Sequence, residues 1–476
     1  MRVPGNSKLN AGVFGAALAA SLLVAQTVSA EVTLVEKDGW TFFADGRVNA
    51  FLSGGFGDGF PDAIPPPLDA NGNPTRAEYS ITGADAGWTG YKATPLEGAQ
   101  GDYLALRARA GFMGSVFGFG LKRNVTETTT ARGYIAVWTT AEASNRDKLA
   151  TEVTTDVRQG YVSLDGPWGA VTAGRDLGLF GRISTEIDFL YGHNFGLGLP
   201  CMDLGGGPTC GHVGTGVIGA GFGAAIVYST PSVGGLKLAA GLYDPVRLLG
   251  GWERVSVLRP EAQLSFETKL GATGMLKAAV EGIYQPLHNT VPGATGPVDV
   301  ETSVWGVAGG ARTEIGPVRL GAAAFRGRGL GFFTALQNDP AMFDLVTREL
   351  RTFSGYYGQG ALVFGKLQVS LGAGIAMVDQ LETDKVDFRL SNAKSQTGIS
   401  TALYYSVSDN VVVGLDYFRY MVRWYGARNS HFRLDAAGMV VIDPATGAEI
   451  SDLDPGVVTQ EKQDMNFVNA GVTFHW

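Results

Sequence analysis

The chain has 476 residues, of which only 17% are charged and 45% hydrophobic, with 69 glycines and a formal net charge of −8. A typical globular chain is about a quarter charged, so this one is unusually poor in charge and rich in Gly, yet it lacks the charge runs of a disordered protein. The acidity is diffuse and argues against nucleic acid as a partner.

Arg2 and Lys8 precede an apolar run from Ala11 to Ala25, and Val28-Ser29-Ala30 is a small-x-small site. This is the pattern of a secretory signal peptide over 1–30, with the mature chain expected to start at Glu31. The apolar run is too short to span a bilayer as an anchor. Losing Arg2 and Lys8 takes the net charge from −8 to −10. After residue 30 there is no run of eighteen apolar residues, so no transmembrane helix is expected. No linker divides 31–476, which reads as one domain.

The first strand is expected over 40–53. Trp40, Phe42, Ala44, Gly46, Val48, Ala50 and Leu52 occupy alternate positions, and none carries a charge or a hydroxyl. The other register, from Thr41 through Asp45, Arg47 and Asn49 to Ser53, is mostly polar. Side chains alternate across a strand, so this strand has an oily face and a wet face. The pattern recurs in "YLALRARAGF". There Leu104, Leu106, Ala108, Ala110 and Phe112 share one face, and Arg107 and Arg109 lie on the other. Fourteen further segments follow: 129–141, 156–165, 168–175, 219–229, 235–244, 259–270, 273–285, 301–312, 317–327, 351–363, 366–378, 395–406, 410–424 and 464–476. In the last, Val468, Ala470, Val472, Phe474 and Trp476 form the oily face.

Compact turns such as "DGPWG", "LGATG", "EIGP" and "FGK" alternate with long connections at 54–101, 142–155, 176–218, 245–258, 286–300, 328–350, 379–394 and 425–463. The turn expected at 115–128 fits this rhythm least well. A soluble sandwich has no reason to keep turns at one end and loops at the other. A transmembrane barrel does, with turns toward the periplasm and loops outside. A sheet in hydrocarbon must close, because each unpaired backbone N–H or C=O costs several kcal/mol there. The expected fold is all-β: a 16-stranded antiparallel transmembrane β-barrel. Sixteen strands leave an aqueous channel, where wet faces bearing Arg47, Arg107 and Arg109 meet water.

Cys201 and Cys210 stand in "CMDLGGGPTC". In an oxidising compartment they are a disulfide candidate. Two free thiols or a metal site are the alternatives. No second Cys pair or close His pair completes a ligand set, so no metal is expected. The sequence has no His-Glu-x-x-His, Gly-x-Ser-x-Gly or P-loop, and the chain is read as a non-enzyme without cofactors.

Several stretches resemble the general diffusion porins of Gram-negative outer membranes. "RAGFMG", 109–114, is similar to an early strand end of that family. "VRQGYVSLDGPWGAVTAGRD", 157–176, is similar to its most recognisable hairpin, and "YSTPSVGGLKLAAGLY", 228–243, to another. Trp476 stands where the family ends in an aromatic residue, usually Phe. The resemblance implies an outer-membrane location and a water-filled channel for passive diffusion of small hydrophilic solutes. A substrate-selective channel on the same barrel is the alternative. It also implies a homotrimer, contact with membrane lipid and lipopolysaccharide, and recognition of the C-terminal strand by the outer-membrane assembly machinery.

In that family the third long loop folds into the barrel, and its acids face basic residues of the wall. Here the third loop is 176–218, and the resemblance implies Glu186 and Asp188 as its acids. Arg109 and Arg158 match two wall arginines, and Arg175 matches the one closing the hairpin. Arg47 and Arg107 join them from face parity alone. Arg158 poses a conflict: it shares the register of Val162 and Leu164, so strict alternation turns it toward lipid. The resemblance turns it inward, and an Arg facing mid-membrane lipid costs about 2–4 kcal/mol. The family often has a further Arg on the strand after the third loop, but "GVIGAGFGAAIVY" has none.

Overall fold

The computed structural model describes residues 31–58, 102–111, 114–139, 155–190, 211–246, 257–271, 273–293, 296–332, 349–382, 393–425, 430–432, 451–453 and 462–476, together with 335, 336, 342, 435 and 441. The expected signal peptide, 1–30, lies outside them.

Antiparallel strands follow one another around a ring. The first are β1 (Val32–Lys37), β2 (Trp40–Asp58), β3 (Asp102–Arg109), β4 (Ser115–Asn124), β5 (Thr130–Thr139), β6 (Thr155–Gly166) and β7 (Gly169–Leu177). After a short helix, α1 (Arg182–Glu186), come β8 (Phe222–Ser229), β9 (Leu236–Tyr243), β10 (Arg259–Leu270), β11 (Gly274–Gly293), β12 (Gly296–Ile315) and β13 (Val318–Arg328). The ring continues through β14 (Thr352–Phe364), β15 (Leu367–Val378), β16 (Ala393–Ser406) and β17 (Val411–Trp424). A small separate pair, β18 (Ser430–Phe432) and β19 (Ser451–Leu453), precedes the last strand, β20 (Lys462–His475).

The ring closes where β20 pairs with β2, from Arg47↔His475 to Gly57↔Met465. Eighteen segments make sixteen strand positions. β3 and β4 are two halves of one position, since β3 pairs with residues 51–58 of β2 and β4 with residues 40–47. β1 in turn continues the line of β20. Trp476 exchanges two backbone hydrogen bonds with Gly46, and Val32 lies opposite Ala44. The chain is a closed 16-stranded antiparallel β-barrel, as its alternation implies.

Two segments depart from expectation. Residues 115–124 belong to a strand, and the turn is confined to Val125–Thr129, where Val125 N–H donates to the Thr129 carbonyl. The misleading feature is the break between Arg109, where β3 ends, and Ser115, where β4 begins. There Asn49 replaces the missing ladder partners: its Oδ1 accepts from Gly111 N–H at 2.9 Å and its Nδ2 donates to the Gly114 carbonyl at 3.0 Å. Gly114 has φ 56°, which a residue without Cβ adopts at little cost. The break also swaps the faces. Leu104 and Leu106 point outward on β3, whereas Phe117, Phe119 and Leu121 do so on β4. The second departure is 286–300. It is the far end of one long hairpin, with β11 and β12 paired from Met275↔Glu314 out to Gly293↔Gly296.

The outer face is apolar along the strands. Leu104 is 80% exposed, Ile226 64% and Leu106 62%, values that belong to a surface whose solvent is lipid. Exposed aromatics mark both margins. Trp40, Trp168, Phe364, Tyr405 and Phe474 lie toward the short turns, and Phe56, Tyr284, Trp305 and Tyr356 toward the loops. Eight residues separate Tyr356 from Phe364, about 26 Å of strand, which suits the hydrocarbon band of a tilted barrel.

Candidate pore constriction

The third loop connects β7 to β8. Its described parts, 178–190 and 211–221, lie inside the ring against the inner faces of β10 to β17. Carboxylates of the wall hold its first turn. Glu261 Oε2 accepts from the N–H groups of Leu179 (2.8 Å) and Phe180 (3.0 Å), and Arg259 braces it at 2.9 Å. Glu281 accepts from Gly181 and Ile183 N–H, both at 2.7 Å, with Gln263 donating to its Oε1. Further along, Gln359 donates to the Ile187 carbonyl and accepts from Phe189 N–H. Gln368 donates to the Phe189 carbonyl, and Tyr404 to that of Leu190. Apolar contacts finish the seat. Ile183 and Ile187 pack on Ala279 and Ala323, while Leu190, Val213, Val217 and Ile218 join the wall residues Phe325, Phe353, Phe418 and Tyr420. Buried charge is tolerated in the loop because it is answered. Burial, the largest influence, disfavours the Arg182 cation, but Asp176 and then Glu186 outweigh it and hold its pKa above the ordinary value.

The two acids of the loop are both engaged. Glu186 Oε2 lies 2.7 Å from Lys277 Nζ on β11. The Asp188 side chain is 1% exposed: its Oδ1 accepts from Leu190 N–H at 2.9 Å, and its Oδ2 lies 3.5 Å from His212 Nδ1. His212 in turn meets Ser400 Oγ at 2.6 Å and Tyr357 Oη at 3.0 Å. The expectation that Asp188 faces the arginine wall is therefore corrected. It closes the loop's own backbone and turns toward β14 and β16, because a buried carboxylate needs partners that open water does not have to supply.

The basic residues gather on β2, β3 and β6, away from the strands that seat the loop. Arg47 Nε donates to the Gly114 carbonyl at 3.3 Å. Its guanidinium carbon lies 5.2 Å from the centre of the Trp138 ring, and that of Arg158 lies 5.0 Å from the same ring. Asp156 pairs with Arg158 at 3.1 Å. Arg109 is buried on the inner face of β3, and Arg107 is half-buried on that same face.

The conflict over Arg158 resolves through a β-bulge. Ala136 pairs with Gln159 while Val137 pairs with Val157, so Arg158 is the extra residue. Two successive side chains then share one face. Val157, Val162 and Leu164 are exposed to the outside, while Arg158 and Gln159 face in. Arg175 is different. It pairs with Gly160 and Ala224 and alternates with Ala173 and Val171, positions of the outer face. Its guanidinium comes within 4.0 Å of Asp156. The expectation of an inward Arg175 is corrected by this register. Cys201 and Cys210 lie outside the described residues.

Sequence reasoning missed Trp138, Asp156, Lys277, Glu261 and Glu281. For Lys277 and Glu281 a signal existed. They share a parity in "MLKAAVEGI", a segment otherwise apolar, and two charges on one face of such a strand mark its wet side. Glu261 carries a similar signal beside Gln263.

The pattern described for Gram-negative porins matches residues 16–423 of the chain. The chain belongs to the Gram-negative porin family. As a member it forms an outer-membrane channel through which small hydrophilic solutes diffuse passively. Two solved structures share its fold. The outer-membrane channel DcaP of Acinetobacter baumannii is 14% identical over 94% of this chain and 100% of its own, with a TM-score of 0.57. An anion-selective porin from Comamonas acidovorans is 13% identical over 92% of this chain and 100% of its own, with a TM-score of 0.51. No curated protein matches the chain.

Proposed function

We propose that this porin is a passive pore with a preference for anions, and that its open section runs between the third loop and the basic wall of β2, β3 and β6. The observation that carries this reading is the gathering of cations on one side of the lumen. Of the loop acids, Glu186 is paired with Lys277, and the Asp188 side chain is buried beside His212, away from those cations. The wall of β2, β3 and β6 brings the guanidinium groups of Arg47, Arg107 and Arg158 to the inner face, with Asp156 paired to Arg158 and Asp45 beside Arg47. Rings of one charge set ion preference in a narrow water-filled passage. Reversal potential in a salt gradient across a planar bilayer tests it. The wild-type channel should pass chloride ahead of potassium, and the double variant Arg47→Gln, Arg158→Gln should lose most of that preference. A cation-selective wild type would defeat the reading. Saturable transport of one solute class would favour a substrate-selective channel instead.

The remaining assignments belong to the same proposal. The chain is exported with cleavage after Ala30, assembles as a homotrimer, and is not an enzyme. Its outer face meets membrane lipid and lipopolysaccharide. Its last strand, ending at Trp476, is the segment the assembly machinery reads. Cys201 and Cys210 form a disulfide within the third loop, which mass spectrometry of the unreduced protein would detect. Conductance steps in multiples of three would support the trimer.

A further inference from the structure

A second charged station lies at the end of the lumen that carries the short turns. Glu31 stands immediately before β1. Its carboxylate is 2.6 Å from Lys122 Nζ on β4 and 2.7 Å from Arg132 on β5. Both cations belong to the inner face. Lys122 alternates with the outward Leu121 and Arg123, and Arg132 shares its face with Tyr134 and Trp138. Phe43, fully buried, is the floor. Its ring lies 5.2 Å from Lys122 Nζ and 4.5 Å from the Arg132 guanidinium carbon. The ring lies flat because Gly120 is opposite: a Cβ there would come within 2.1 Å of it. The result is a socket in which an ammonium and a guanidinium, both held on an aromatic face, receive one carboxylate.

β1 has no other evident task. All six of its side chains are exposed, and among the described residues β2 is its sole ladder partner. What it does is bring Glu31 to the wall. The charge count around the socket supports this. Asp45, bonded to Tyr134 at 2.7 Å, also feels Arg132, Glu31 and Arg47. Glu31 and Asp45 together match Lys122 and Arg132. In a chain cut after Ala30, the new α-ammonium adjoins the α-carboxylate of Trp476 along β2 and leaves that balance unchanged.

We infer that Glu31 is an ion-selectivity residue, a built-in counter-anion that neutralises Lys122 and Arg132 at the periplasmic mouth and so confines the positive field to the constriction. Opposite charges held this close present a dipole to passing ions, whereas a bare cation attracts anions across the Debye length of about 10 Å. The inference rests on the channel and not on its anion preference, so a cation-selective wild type would leave the direction of the shifts below intact.

Reversal potentials in a potassium chloride gradient test it on the full channel. Glu31→Gln should raise the anion-to-cation permeability ratio about twofold, the effect of one unpaired charge acting through water over about 10 Å. Lys122→Gln with Arg132→Gln should lower the ratio, and the triple variant should return toward wild type. Glu36→Gln removes the same charge from β1 at a position opposite Thr41, itself opposite Lys122, and should raise the ratio by less than Glu31→Gln does. A Glu31→Gln value equal to wild type or to Glu36→Gln would overturn the inference. Residue 31 adjoins the expected cleavage site, so the mass of the chain and its heat-dependent gel mobility should confirm a processed, folded barrel. Where Glu31→Gln fails either check, the Lys122→Gln, Arg132→Gln pair decides alone, and no shift toward cations overturns the inference.

Discussion

The two halves of the inner wall use polar residues in opposite ways. On β10 to β16 inward polar groups are bonded to the third loop: Glu261 and Glu281 to N–H groups at its start, Gln359, Gln368 and Tyr404 to its middle. On β2 to β6 several polar groups are cations set over aromatic rings, Arg47 and Arg158 beside Trp138 and Lys122 and Arg132 beside Phe43. One half is a seat and the other a lining. A carboxylate on the seat therefore acts on where the loop lies, while a cation on the lining acts on what passes. Residue charge alone does not distinguish these roles; the partner does.

Substitutions can break this contrast in order of expected size. Glu281→Ala leaves the N–H groups of Gly181 and Ile183 without an acceptor in a buried site, a loss of about 3 kcal/mol. It should free the start of the loop, giving noisy single-channel currents of altered conductance, with the barrel itself intact by gel mobility. Quiet wild-type currents would mean the loop has no need of that anchor. Next, Glu186→Gln releases Lys277 toward the lumen and should raise anion preference about twofold, as one unpaired charge would. Trp138→Leu keeps every charge and removes only the ring beside Arg47 and Arg158. It should weaken anion preference by less than Arg158→Gln does, since cation–π support of this kind is worth about 0.5–1 kcal/mol at exposed sites. Smallest of all, Asp188→Asn should leave the reversal potential unchanged, because that side chain is 1% exposed and turned away from the lining. A clear shift there would place Asp188 in the ion path.

The strands and their faces were legible because lipid on one side and water on the other force a period of two, which the sequence carries openly from Trp40 to Leu52 and from Val468 to Trp476. The third loop was legible in its position. What it touches was not, because its partners lie far along the chain: Gln359 meets Phe189 across 170 residues, and Glu281 meets Ile183 across 98. The turn expected at 115–128 failed for a related reason. Asn49, more than sixty residues earlier, supports the break between β3 and β4, so local Gly content mimicked a turn inside a strand. At 286–300 two strands run past the point where their neighbours end, and Pro and Gly there suggested a loop.

The extra residue at Arg158 has a consequence for how much a wall of this kind can carry. An unbroken strand offers the lumen one side chain for every two residues, spaced by the repeat of the backbone. At this level β6 delivers Arg158 and Gln159 side by side opposite the single Ala136. The density of polar groups at that height thereby rises without an added strand or a wider ring.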